Sequence, residues 1–135
     1  MKNLYFAIWV DAIVNAKDYK EKTPGWKSST FWLITTANVL NIMLVLLWLD
    51  FFQLYKHNFF FNFHSDSFAV GLLEIFLNVF APIGILNYFF IFFKDRYKRL
   101  IAKHTNYNGK LALYYTLISI FLIVVTVIFK EIVMQ

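Results

Sequence analysis

Three long apolar segments constrain this chain of 135 residues more than any other feature. Their cores lie at 31–54, 68–93 and 111–129, and the only charges inside them are Asp50 and Glu74, with Lys130 on the border of the third. Each approaches or exceeds the roughly 20 residues that a helix needs to cross a hydrocarbon layer. Hydrophobic residues make up 60% of the chain and charged residues 16%, with a mean hydropathy of +0.58. A soluble domain of this size has too much surface for its volume to hide so much apolar area. No stretch alternates like a barrel strand, and a lone barrel needs about eight strands or more. The sequence therefore predicts an all-α integral membrane protein, a single membrane domain over 1–135 with transmembrane helices at 30–55, 67–93 and 111–133.

Charge placement predicts the orientation. The connector 94–110 carries Lys94, Arg96, Lys98, Arg99, Lys103 and Lys110 against one acid, Asp95. Four lysines, Lys17, Lys20, Lys22 and Lys27, precede the first span, whereas the connector between spans one and two has Lys56 balanced by Asp66. Basic loops stay on the cytoplasmic side, so the expected topology is N-terminus inside and C-terminus outside. In a soluble protein a net charge of +5 would point to nucleic acid. Beside membrane spans it points to the lipid bilayer and its anionic headgroups, and no nucleic-acid partner is expected. The six cations of 94–110 are the predicted surface for headgroups or for a cytoplasmic partner.

The apolar run at 4–16 is too short to cross a bilayer. Asn3, Asp11, Asn15 and Asp18 share one helical face of it, which predicts an amphipathic interfacial helix over 3–22 with its apolar side in lipid. Asp11 interrupts the run and argues against a cleaved signal peptide. Thr23-Pro24-Gly25 ends the helix, and Trp26 with Lys27 anchors the start of span one.

Each span carries polar residues at helical spacing. Thr35, Asn38 and Asn41 mark the first, Asn78 and Asn87 the second, Thr116 and Ser119 the third. Polar side chains facing lipid are costly, so these are expected to make interhelical contacts. Asp50, Glu74 and Lys130 fall at a similar distance from the inner boundary. Lys130 is expected to pair with Glu74, with Asp50 as the second carboxylate at that depth. Glu74 alone also fits a proton or cation site, and Pro82 with Gly84 could kink span two as in transporters.

The chain has no cysteine, so disulfides, thiolate metal sites and iron–sulfur clusters are excluded. His57, His64 and His104 all fall in loops, match no strong ligand spacing and sit where no membrane haem could use them. No phosphate-cradling loop, nucleophile elbow or H-E-x-x-H motif is present. The expectation is a non-enzyme without cofactor or metal. The segments Tyr5-Phe6-Ala7-Ile8-Trp9-Val10-Asp11 and Leu86-Asn87-Tyr88-Phe89-Phe90-Ile91-Phe92, with the 96–111 connector, resemble small three-span bacterial inner-membrane proteins. That resemblance implies neither an activity nor site residues. The expected function is an accessory or scaffold subunit among other inner-membrane protein subunits. The alternatives are a homo-oligomeric channel or membrane-permeabilising effector, and a lipid- or quinone-handling protein.

Overall fold

A computed structural model describes residues 3–54 and 61–135. Lys56, His57, Phe59 and Phe60 lie outside the described residues. Among the described residues all regular structure is helical. In chain order it comprises α1 (Leu4–Asn15), α2 (Lys17–Lys20), α3 (Trp26–Phe51), α4 (Phe68–Ile75), α5 (Ala81–Asn87), α6 (Arg96–Lys103) and α7 (Lys110–Val133). Phe76–Phe80 and Tyr88–Phe92 are π turns that join α4 to α5 and extend α5. Three apolar stretches are thus helical and long enough to cross a membrane: α3, the composite from α4 to the second π turn, and α7. The chain is a multi-pass membrane protein in its architecture.

Local chemistry explains the breaks. Gly25, after Pro24, takes φ +104 and starts α3 from a left-handed conformation that glycine adopts without steric cost. Pro82 lacks the N–H that would bond the Asn78 carbonyl, and the π turn just before it widens the ladder there. Gly84 lets span two approach α3 closely, since a Cβ there would lie 3.3 Å from Phe31 Cζ.

Span two ends at Lys94 and Asp95, both left-handed at φ 51 and 54. Two such residues in succession stop a helix of L-residues. So α6 is a separate helix after a turn, not the straight extension of span two that its sequence suggests. Its Tyr97 is buried, and Leu100 and Ile101 pack against the hydrophobic core.

The N-terminal helix is also arranged differently from the expectation. It stops at Asn15, and Ala16 is extended before the single turn of α2. Every residue from Ala7 to Ile13 is buried. Seven successive residues cover two turns, so the helix is enclosed on all sides rather than along one stripe. It packs on α3, α6 and α7. Trp9, Ile13, Ile34, Ile91 and Phe92 form the centre of the resulting core, with Trp9 in edge contact with Phe92 at 5.8 Å. That core lies at the basic end of the molecule. At the far end, α4 contributes no buried residue.

Candidate functional site

The polar centre of the molecule begins with Asp11. Its side chain is wholly inaccessible. Oδ1 accepts from the backbone N–H of Tyr107 at 2.8 Å and of Gly109 at 3.0 Å, and Oδ2 accepts from Ala112 N–H at 3.1 Å. The first N–H groups of a helix have no intrahelical partner, and the helix dipole favours an anion there. Asp11 supplies both the acceptors and the charge for α7, from a helix about 100 residues away in sequence. Asn15, one turn on, donates to Asp11 Oδ1 at 3.2 Å and to Asn106 Oδ1 at 2.8 Å. Gly109 fits this junction for two reasons: its φ is +76, and a Cβ would lie 3.3 Å from Asn15 Cβ.

A second set of bonds runs deeper. Asn87 donates to Thr35 Oγ1 at 2.9 Å, and its Oδ1 accepts from the Tyr5 hydroxyl and from Asn38 Nδ2 at 3.4 Å. Tyr115 donates to Asn38 Oδ1 at 2.6 Å and accepts from Asn41 at 2.8 Å. Asn41 also donates to Ser119 Oγ at 2.9 Å, and Ser119 in turn donates to its own helix at the Tyr115 carbonyl. One continuous network therefore ties α1, α3, α5 and α7 together. At 1.5 Å per residue from Trp26, its α3 members lie about 14 to 23 Å along the helix. Burial pushes the Tyr5 phenol above its ordinary 10.0, so it stays protonated and able to donate.

Of the sequence-expected contacts, Thr35, Asn38, Asn41, Asn87 and Ser119 all meet here. Thr116 does not join them, because its hydroxyl bonds back to Ala112 O at 2.9 Å. Asn78 lies elsewhere, pairing with both backbone groups of Phe61: its Oδ1 accepts from Phe61 N–H at 2.9 Å and its Nδ2 donates to Phe61 O at 2.8 Å. Asp11, Tyr5 and Tyr115 were not expected members. A tyrosine inside an apolar run reads as a boundary aromatic, so only the lipid cost of its hydroxyl could have flagged it.

At the far end Lys130 lies 3.6 Å from Asp50. Among the described residues no ion pair joins Lys130 to Glu74, which instead accepts from Phe63 N–H at 2.7 Å. Glu74 and Asn78 thus hold the connector 61–63 against span two. Trp48, Phe51 and Phe129 close the far ends of α3 and α7, with Trp48 and Phe129 at 5.8 Å.

The six cations of the connector separate into groups. Lys98 is 3.0 Å from Asp95, which also meets Lys27 at 3.8 Å. Lys27 stands 5.0 Å over the Tyr97 ring and Lys94 is 5.4 Å over Phe93. Arg96 donates to Phe89 O at 3.3 Å, while Arg99, Lys103 and Lys110 are exposed. His104, at the end of α6, is buried beside Phe6, with Nδ1 3.1 Å from Leu100 O, and His64 is exposed on the connector 61–66. No protein-family model, curated protein or solved structure matches the chain.

Proposed function

We propose that this protein is a non-catalytic accessory subunit of a larger assembly in a bacterial inner membrane. In this reading the basic end is cytoplasmic, the C-terminus is external, and α1 sits at the inner headgroup level. The observation that carries it is a mismatch along span two. Asn87 joins the internal network, whereas α4, on the same span, has no fully buried residue. Its Leu72 and Leu73 remain exposed, and a Cβ on Gly71 would meet no atom within 4 Å. A helix face left open in this way, beside a connector fixed by Glu74 and Asn78, suits a neighbouring transmembrane subunit.

Pore and enzyme readings gain less support. The Asn side chains that would line a lumen are bonded to one another, and Glu74 bonds a backbone N–H. A photo-crosslinking residue at Leu73, followed by purification in mild detergent, tests the proposal. Crosslinks to a stoichiometric foreign subunit are the expected result. Crosslinks only between copies of this chain, together with conductance in liposomes, would replace the accessory reading with the pore.

A further inference from the structure

We propose that the basic end binds one anionic phospholipid, with its phosphate at Arg96 and Arg99 and an acyl chain on Phe90. The inference rests on membrane embedding and is independent of any protein partner.

The turn at Lys94 and Asp95 sets α6 so that Arg96 and Arg99, three residues apart and hence on one helical face, line a cleft of about 320 Å³ with Phe6, Phe90 and Leu100. Charge is unbalanced there. Asp95, the one acid of the 94–110 connector, is engaged by Lys98 and Lys27. Among the described residues no ion pair joins Arg96 or Arg99 to an acid. The bond from Arg96 to Phe89 O fixes that guanidinium and uses one of its five donors. Two planar guanidinium groups suit the oxygens of a phosphate, which they can bind bidentately.

The rest of the cleft is apolar, which distinguishes a lipid from a free anion. Phe90 is 47% exposed and Leu86, one turn deeper on the same face, is 53% exposed. They form a track from the cations into the hydrocarbon along span two. A diffuse basic surface would attract any anionic membrane. This arrangement adds a fixed phosphate seat and a fixed chain path, and so predicts a one-to-one complex.

The test is native mass spectrometry of the full chain in mild detergent, titrated with dioleoyl phosphatidylglycerol or dioleoyl phosphatidylcholine. We expect saturable retention of one phosphatidylglycerol, with a preference over phosphatidylcholine of roughly tenfold or more. R96Q/R99Q should abolish the preference. R99Q, which leaves the Arg96 bond to Phe89 O in place, should weaken it several-fold. F90A should lower retention of both lipids while keeping the preference, and K17Q/K22Q should change nothing. An unchanged preference in R99Q and R96Q/R99Q overturns the site. So does an equal loss in K17Q/K22Q, which would mean diffuse attraction. Displacement of the lipid by millimolar inorganic phosphate would assign the arginines to a free anion instead.

Discussion

The two ends of this molecule solve the same problem in opposite ways. At the basic end a buried helix, a carboxylate and a network of amides and hydroxyls fix four helices to one another. At the far end, α3 and α7 meet through aromatic rings and the Lys130–Asp50 pair, and α4 holds a connector but has no fully buried residue. In lipid there is little hydrophobic drive between helices, so packing and polar bonds decide which contacts persist. The comparison teaches that polar anchoring here is concentrated at the basic end, and that the far end is held mainly by aromatic packing.

Four substitutions can break or sharpen this contrast, all read by reversible unfolding in mixed micelles. Asp11→Ala has the largest expected effect. It takes the acceptor from the buried N–H of Ala112 and from the half-buried N–H groups of Tyr107 and Gly109, a loss on the order of 3 kcal/mol. If Asp11→Ala proves no worse than a far-end change, the basic end is not the more firmly anchored one. Asn87→Ala follows, removing the hub between α1, α3 and α5, at roughly 2 kcal/mol. Tyr115→Phe deletes one donor and one acceptor but keeps the ring, and should cost about 1 kcal/mol. Lys130→Met should be the mildest. The partly exposed pair with Asp50 is worth at most about 1 kcal/mol and weakens with salt. A larger effect of Lys130→Met than of Asn87→Ala would reverse the comparison.

Much of the architecture is legible in the sequence because span length and apolarity need no knowledge of neighbours. The inward facing of Thr35, Asn38, Asn41, Asn87 and Ser119 is legible for the same reason, since lipid excludes the alternative. The pair of Lys130 with Asp50 is legible only as the second choice, after Glu74. Counting residues from the inner boundary treats each span as a straight α-helix, but the π turn at Phe76–Phe80 and Pro82 re-aim the segment bearing Glu74. Asp11 is misread because an acid on a short helix next to lysines has a local explanation, a solvated polar face. Its actual partners are backbone groups about 100 residues on, which carry no side-chain signature at all. The enclosed position of α1 follows from that contact and is hidden with it.

The bond between Asp11 and the start of α7 also has a consequence in time. The helix that carries the carboxylate is synthesised before α3, α4 and α5, and the helix that needs it is synthesised after them. Until α7 has threaded into the bilayer, α1 has neither its ceiling nor a partner for its buried charge. The basic end therefore stays unfinished while α3, α4 and α5 insert, and it is completed only once α7 has followed them.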